Sequence, residues 1–540
     1  MAVQTLERAE SKVFNNAFLS FWRGNDLRGN LLLMLPFLAL YYYVLARHEV
    51  WRDEINAWAI AYVSPNLGEL FSRVHYEAHP ALWYIILFLA SRISAGVWML
   101  KLVQGAIGTA IYLLLATSTP LRRLELALVL GGYYIAFQYT VMCRMYGLEV
   151  LFALVYIWFR MNRPQWILRN VLWLGLMANV DITAGILATG LLVEYLYERV
   201  SHRRSFDLPW RRQLVEALAL YGAMAALALV TLWPARDISW SSTGRLFSQL
   251  ADPLHLGFAT ALWTGLPWYP QVISPISLWP DLNFYPQGFW VMPVLALYFL
   301  VFRKHRREGF LFALIVICGI LFSHATNVAG VRHTGITYLA FLLALCRMRH
   351  HDLQISRWSY VLLAAGVIAS IATAAQQWGR PFTDGGAAAE WIAGQKLDHL
   401  PILGTPDTMV VDVTERLNKP VYQLDCNCMD RVMTFHRRRD SYYSEPRYMY
   451  RVMADRTAQA MRDLKTDEAL LVLNFPLPEQ QKKDLGKDDI HADLAASFER
   501  GVLPDEHFYI YRVHAPQTET SELAMHSDAQ PAKTMMSPRL

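Results

Sequence analysis

The sequence predicts a polytopic α-helical membrane protein with about eleven spans, followed by a small α/β domain. Of the 540 residues, 54% are hydrophobic and 18% are charged, whereas soluble domains average about 25% charged residues. Apolar runs of roughly 15–20 residues, the length of a membrane-spanning helix, recur over residues 31–375. From residue 376 the charge rises and the apolar runs shorten to the length of strands.

Residues 1–30 are polar with scattered apolar positions and lack a small-residue cleavage site, so they predict a cytoplasmic lead-in. The transmembrane domain is predicted over 31–375. Its eleven spans are 31–46, 98–116, 124–139, 147–159, 166–178, 182–197, 214–233, 289–302, 310–322, 335–346 and 358–374.

Basic clusters determine the predicted topology, because positive charge concentrates on the cytoplasmic side of membrane proteins. All five clusters can be cytoplasmic only if the short apolar run 82–90 does not cross the bilayer; they lie at 122–123, 160–169, 199–212, 303–307 and 347–357. Nine residues of helix span about 13 Å, less than half of a hydrocarbon core of about 30 Å. We therefore predict a multi-pass protein of the inner membrane whose N-terminus lies in the cytoplasm. Extracytoplasmic segments are then predicted at 47–96, 140–146, 234–288, 324–334 and 375–540.

The extracytoplasmic C-terminal domain is predicted over 376–515, and the Ser-, Thr-, Ala- and Pro-rich tail 516–540 is predicted to be disordered. Strands are predicted at 409–413, 470–473 and 508–511, and helices at 385–397 and 449–464. Cys426 and Cys428 are too close in sequence for an easy disulfide with each other, which leaves a free or metal-binding pair open.

Ionisable residues at a membrane edge are costly and are candidates for function. The first outer loop holds Asp53 and Glu54 side by side. Successive helical residues point about 100° apart, so the two carboxylates are expected to have different tasks. One can face a cleft as a general base while the other holds a backbone group or a basic neighbour. A helix N-terminal charge, or an ion pair with Arg52, is the structural alternative.

His75, Glu77 and His79 alternate along the same loop. In an extended segment their side chains would lie on one face, where imidazole and carboxylate could bind Zn²⁺ or Mn²⁺. A polar loop that enters a helix at Pro80 is the alternative interpretation.

Further basic residues are predicted to lie on the same outer side. Arg144, with Tyr146, follows the third span, and its guanidinium group suits a phosphate. Arg332 and His333 open the tenth span next to glycines, a further position suited to a phosphate. Snorkelling at the interface is the alternative for such arginines. Glu77 and His79 are also candidates for binding substrate, and Arg236 is a weaker one.

Two further outer segments have open interpretations. Asp181 interrupts an apolar stretch, where it can cap the next helix. The Trp- and Pro-rich segment 263–290 could close over a cleft and stack on sugar rings, or could anchor at the membrane interface.

Together, the acidic pair, the segment 76–84 (YEAHPALWY), Arg144-Met145-Tyr146 and Arg332-His333 resemble motifs of GT-C glycosyltransferases. The similar enzymes are of the protein O-mannosyltransferase and aminoarabinose-transferase type (glycosyltransferase family 39 and its relatives). The resemblance covers roughly residues 30–375.

The resemblance implies a transferase that takes a sugar from a polyprenyl-phosphate donor and acts outside the cytoplasm. It implies that Asp53 lies nearest the reacting centre, that Glu54 supports it, and that nearby basic residues hold the lipid phosphate. The expected partners are this donor, membrane lipid and an acceptor that the sequence does not identify. The formal net charge of +5 arises from short basic clusters between apolar runs, which does not indicate a nucleic-acid partner. A non-catalytic or transport component of envelope assembly is the alternative function.

Overall fold

Helices form the first part of the chain, and a mixed sheet with helices forms the last. The computed structural model describes residues 20–201, 208–238, 288–326, 331–435 and 448–515. The predictions for residues 1–19, the tail 516–540 and nearly all of the segment 263–290 lie outside these ranges.

Every predicted span overlaps helical structure, and one span, 124–139, is interrupted. In chain order the helices are α1 (Leu27–Arg47), α2 (Arg52–Val63), α3 (Leu67–Val74), α4 (Leu82–Ser91), α5 (Trp98–Ser118), α6 (Arg123–Leu130), α7 (Tyr146–Asn162), α8 (Ile167–Ala178), α9 (Ile182–Ser201), α10 (Leu208–Leu232), α11 (Gly288–Phe302), α12 (Arg306–Thr326), α13 (Val331–His350) and α14 (Arg357–Gln377).

Five of the helices in the described ranges are long and apolar enough to cross a membrane: Leu27–Arg47, Trp98–Ser118, Trp210–Leu232, Arg306–His324 and Arg357–Gln377. The expected class, a polytopic helical membrane protein with a small α/β domain after the last span, is confirmed. The total of about eleven spans and the domain boundaries stay predictions.

The third predicted span, 124–139, is not one α-helix. It consists of α6 and a separate π turn, Tyr134–Gln138. Two glycines, Gly131 and Gly132, stand between them. Since glycine is unfavourable inside a helix, the pair explains the break.

One end of the helical region is held by a cluster of ion pairs. Glu194 and Glu198 on α9 bind Arg347 at 2.9 Å and Arg160 at 2.5 Å, respectively, and Arg307 contacts both carboxylates. Arginines from three of the predicted cytoplasmic basic clusters therefore meet at one end of the molecule. The side of the membrane on which this end lies stays a prediction.

After α14 the chain forms a six-stranded sheet. Its strands are β1 (Ile402–Thr405), β2 (Val421–Gln423), β3 (Cys428–Asp430), β4 (Glu468–Leu473), β5 (His491–Phe498) and β6 (Phe508–His514), in the order β3-β2-β1-β4-β6-β5. Strand β1 pairs in parallel with β2 and β4, and the other pairings are antiparallel. The helices of this domain are α15 (Gly385–Gly394), α16 (Asp407–Arg416), α17 (Tyr448–Leu464) and α18 (Glu479–Lys487).

The sheet has an apolar core on each face. Leu470 and Val472 point into one core and Leu471 and Leu473 into the other, as the two-residue period of a strand requires. Helix α16 packs against α2 and joins the C-terminal domain to the first outer loop.

Two predictions in this domain are wrong. Residues 409–413 are helical within α16 rather than a strand, although three of them are β-branched valines. Cys426 and Cys428 form a disulfide. Asn427 between them has a φ of 50°, and this left-handed turn brings the two Cα atoms to 5.2 Å, within the range that a disulfide needs.

Candidate active site

The first turn of α2 carries the acidic pair. The Glu54 carboxylate accepts a hydrogen bond from the backbone N–H of Trp51 at 3.0 Å, which closes the helix N-terminus. It also contacts His48 Nε2 at 2.9 Å and accepts the backbone N–H of Cys143. Glu54 is fully buried and therefore holds three chain segments together.

Asp53 points in another direction, as the helical geometry predicts. Its Oδ2 accepts a hydrogen bond from Arg332 Nη1 at 2.8 Å, and its Oδ1 lies 3.7 Å from Arg52 Nε. The side chain keeps 19% of its surface exposed. Burial opposes ionisation, but Arg332, followed by Arg144 and Arg52, lowers the pKa of Asp53 overall. Asp53 is therefore an ionised, partly accessible carboxylate.

Arg144, in the turn before α7, joins Asp53, Arg52 and Arg332, and we refer to this group as the Asp53 cluster. Its Nη1 donates to the backbone carbonyl of Asp53, and its Nη2 lies 3.1 Å from His79 Nε2. Because arginine can only donate, His79 Nε2 accepts. The proton of the neutral ring then lies on Nδ1, which is 3.1 Å from Asp181 Oδ2.

The electrostatics agree with this arrangement. Burial lowers the pKa of His79, and although Asp181 raises it, the net shift is downward. Burial raises the pKa of Asp181, but the hydrogen bond with His79 and other contacts lower it overall. Asp181, His79 and Arg144 thus form a chain of hydrogen bonds that ends on the backbone of Asp53.

Tyr146 and His333 lie next to these residues. Their ring centroids are 6.0 Å apart in an edge-on arrangement, and both side chains are buried. Tyr146 Oη and His333 Nδ1 have no hydrogen-bond partner within the described ranges. Two buried polar atoms therefore remain available beside Arg144 and Arg332.

Glu77 also lies near the cluster. Its Oε2 accepts from Tyr84 Oη at 3.1 Å, and its Oε1 is 3.4 Å from Asn56 Nδ2. These contacts join the loop after α3 to α2 and α4.

The metal prediction for His75, Glu77 and His79 is wrong. The segment is a turn rather than an extended strand, and Ala78 has a φ of 56°. His75 Nδ1 contacts the carbonyl of Trp233 at 2.6 Å, away from the partners of Glu77 and His79. Among the residues with described placement, no group of three or more His, Cys, Asp or Glu side chains could hold a metal ion.

Arg236 is exposed in the turn after α10 and lies outside the Asp53 cluster. Its neighbours contact the His75 segment instead: Ala235 N–H donates to His75 O at 3.2 Å, and Tyr76 Oη donates to Asp237 at 2.6 Å. The segment that carries Arg236 therefore packs on this loop rather than on Asp53.

Three side chains of the cluster were absent from the predicted site. The sequence predicts an ion pair with a neighbouring carboxylate for Arg52, a helix cap for Asp181, and a place in the segment 76–84 and the short apolar run for Tyr84. Asp181 does cap α9, accepting the Thr183 N–H at 2.9 Å, and it binds His79 with its other oxygen. The signal that could have identified it is an acidic residue on the same predicted membrane side as Asp53.

The fold and the cluster define a polytopic membrane protein in which charged side chains from several predicted extracytoplasmic segments meet. No protein-family model matches the chain, and no curated protein matches it. A solved structure that it resembles is ArnT from Cupriavidus metallidurans bound to undecaprenyl phosphate. The match covers 89% of this chain and 97% of that chain, at 13% identity and a TM-score of 0.38. ArnT belongs to the transferase type that the sequence motifs resemble, but a likeness of this size assigns no function to this chain.

Proposed function

We propose that this protein is a membrane glycosyltransferase that moves a sugar from a polyprenyl-phosphate donor to an extracytoplasmic acceptor. The observation that carries the proposal is the convergence of Asp53 with Arg332, which binds its carboxylate at 2.8 Å, and Arg144, which binds its backbone carbonyl. An ionised carboxylate beside two guanidinium groups can serve both an incoming hydroxyl and a departing phosphate.

Arg332 and Arg144 are the proposed ligands of the donor phosphate. Guanidinium groups present paired N–H donors that match phosphate oxygens. Both residues belong to turns or helix starts that the charge distribution of the sequence predicts at the extracytoplasmic membrane edge. A lipid-linked phosphate entering from the outer leaflet would meet them at that depth. Tyr146 and His333, each with an unpaired polar atom, are proposed to complete the phosphate site.

Asp53 is the proposed general base. The acceptor oxygen attacks the anomeric carbon from the face opposite the phosphate, and its proton passes to the Asp53 carboxylate. The bond between the anomeric carbon and the phosphate oxygen breaks, and its electron pair stays on the leaving phosphate. The configuration at the anomeric carbon is thereby inverted.

Each residue would contribute by a known type of interaction. General bases typically contribute about 10²–10⁴-fold to a rate. A fixed donor beside the developing charge contributes about 3–4 kcal/mol. Glu54 is proposed to support Asp53 by fixing the first turn of α2, since it binds the Trp51 and Cys143 backbones and His48.

The test compares envelope lipids and proteins from cells that make the wild-type chain, Asp53→Asn, Glu69→Gln or no chain. Glu69 is a matched control because it is an outer-loop carboxylate on α3 that pairs with Arg73, away from Asp53. Mass spectrometry should find a glycosylated product with the wild type and Glu69→Gln. We expect at least 100-fold less product with Asp53→Asn at equal protein level. Wild-type product levels with Asp53→Asn would refute the assigned role and favour a non-catalytic component.

A further inference from the structure

A cavity of about 640 Å³ lies between the C-terminal ends of α1 and α14, separate from the Asp53 cluster. Its deeper part is lined by apolar side chains, Leu40, Val44, Phe137 and Ala374, and its outer part by Arg47 and Arg380. The volume falls within the range of small-molecule and cofactor sites. We refer to this cavity as the α1/α14 groove.

The α1/α14 groove lies at the level of the membrane interface. Both α1 and α14 are long and apolar enough to cross the bilayer, and both end at the groove. Leu40 precedes Arg47 by about two turns, or roughly 10 Å along the axis. Trp378, directly after α14, exposes 81% of its surface, and exposed tryptophans typically mark the headgroup region. The apolar part of the groove therefore lies at acyl-chain depth and its basic part at headgroup depth.

The outer part of the groove has an excess of positive charge. The Arg47 guanidinium lies 4.7 Å from the Tyr43 ring centroid and has no carboxylate partner within the described ranges. Within the described ranges Arg380 donates to the backbone carbonyls of Arg500 at 3.1 Å and Gly501 at 2.7 Å and forms no salt bridge, although the Asp384 carboxylate is near enough to interact with its charge. The acidic lining residue, Glu49, is paired with Arg416 at 3.3 Å.

We propose that the α1/α14 groove binds an anionic glycerophospholipid of the outer leaflet. The anionic head group would lie between Arg47 and Arg380, and an acyl chain would lie along Leu40, Val44, Phe137 and Ala374. Charge complementarity at the outer part, combined with an apolar part at acyl-chain depth, selects an anionic amphiphile over a soluble anion. The proposal stands independently of the transferase function.

The bound lipid would contact an aromatic side chain that packs against residues of the candidate active site. Phe382 lines the groove, and its ring centroid is 5.2 Å from that of His48 and 6.1 Å from that of Trp51. His48 binds Glu54, and Trp51 lies under the Arg332 guanidinium at 5.8 Å. One layer of rings thus separates the groove from the Asp53–Arg332 pair, so the groove is an additional site that adjoins the proposed donor site.

The test uses the full chain in lipid nanodiscs with phosphatidylglycerol that carries a photoreactive diazirine in one acyl chain. After irradiation, mass spectrometry should locate the adducts at residues 38–47 and 374–382. We expect at least five times more labelling there than with the matched phosphatidylcholine probe. Arg47→Gln should reduce the phosphatidylglycerol labelling about tenfold, because one charge-assisted contact is lost. Arg73, on α3, is a basic residue on the same predicted side of the membrane. Arg73→Gln is therefore the matched control and should leave the labelling unchanged.

A second variant tests the apolar part. Ala374 is exposed toward the groove, so Ala374→Phe fills it without disturbing the core and should abolish adducts at both segments. Asp53→Asn should keep full labelling, which separates this site from the proposed catalysis. Equal labelling by both probes, or equal labelling of Arg47→Gln and Arg73→Gln, would overturn the proposal. It would also be overturned if equimolar polyprenyl phosphate displaced the probe while a tenfold excess of unlabelled phosphatidylglycerol did not.

Discussion

Asp181→Asn is expected to disable the candidate site from a distance. Asp181 Oδ1 accepts from the N–H of Thr183 at 2.9 Å and from its hydroxyl at 2.6 Å, while Oδ2 faces His79 Nδ1 at 3.1 Å. Asparagine can keep its oxygen on Thr183 only by turning its NH₂ group toward His79. The imidazole must then carry its proton on Nε2, where it would face a donor of Arg144.

The expected magnitude follows from these contacts. Losing a hydrogen bond to a charged group typically costs 1.5–3 kcal/mol, and leaving buried donors opposed costs about 1–3 kcal/mol more. If about 3 kcal/mol of this total is lost at Arg144, transfer should slow by about 100-fold, since each 1.4 kcal/mol is a factor of ten. The opposite orientation of the asparagine would turn its NH₂ group toward the Thr183 N–H and lose that contact, so neither orientation avoids a cost.

The assay is product formation by purified wild-type, Asp181→Asn, His79→Gln and double-variant protein, with the glycosylated product identified as above. Because Asp181 is proposed to act through His79, the double variant should lose little more activity than either single variant. Thr183→Ala is the matched control, since it removes one contact with Asp181 but leaves the His79 contact. A change of less than threefold for Asp181→Asn, or fully additive losses in the double variant, would refute the reasoning.

Three further predictions concern stability and domain contact. Glu54→Gln should destabilise the fold by about 3–5 kcal/mol, because the new NH₂ group would face a buried N–H donor that the carboxylate now accepts. A melting temperature equal to that of Glu69→Gln would contradict this. The pKa of folded His79 is lowered, so the unfolded chain binds more protons below about pH 6.5 and stability should fall as pH decreases. His79→Gln should weaken that dependence between pH 7 and 5.5, and identical melting profiles would exclude it. Arg52→Gln should release the C-terminal domain by removing the 2.7 Å contact with Asp505. Proteolysis near residue 380 should then become several-fold faster, and unchanged cleavage would show that other contacts suffice.

Helix positions could be predicted from the sequence because apolar length is a direct requirement of the bilayer. The short run 82–90 was separated from the spans by length alone, and α4 is ten residues long. The break between α6 and the π turn was not predicted, since an apolar window does not respond to the Gly131-Gly132 pair. Composition gives the extent of a span, but backbone propensity determines whether it stays α-helical.

The wrong strand at 409–413 shows where local propensity fails. Valine and methionine favour a strand here, yet α16 forms because contacts on two of its faces stabilise the helix. Val410 packs toward the sheet, and Asp412 binds Thr383 at 2.8 Å and Arg416, one helical turn on, at 3.1 Å. These contacts involve residues distant in sequence or depend on the helix itself, so no local pattern predicts them.

The sequence could predict that the residues of the candidate site share one side of the membrane domain, but not how they pair. Placing Arg144 and Arg332 on the same side as Asp53 required only the charge distribution, and the structure brings all three together. The different directions of Asp53 and Glu54 followed from helical periodicity. The His79–Asp181 contact joins residues 102 positions apart, and a single sequence contains no signal for that separation. The metal hypothesis failed because the positive φ of Ala78 turns the segment that was assumed to be extended.

The arrangement around Asp53 suggests why one carboxylate and its arginines can serve two steps. A general base works best when its pKa is near the working pH, yet Arg332 and Arg144 lower the pKa of Asp53. A donor phosphate would compete for these same guanidinium groups. As Arg332 turns toward the phosphate, Asp53 loses its closest counter-ion and its pKa rises. Under this hypothesis donor binding itself activates the base, so that Asp53 stays a weak base until a phosphate occupies the pocket.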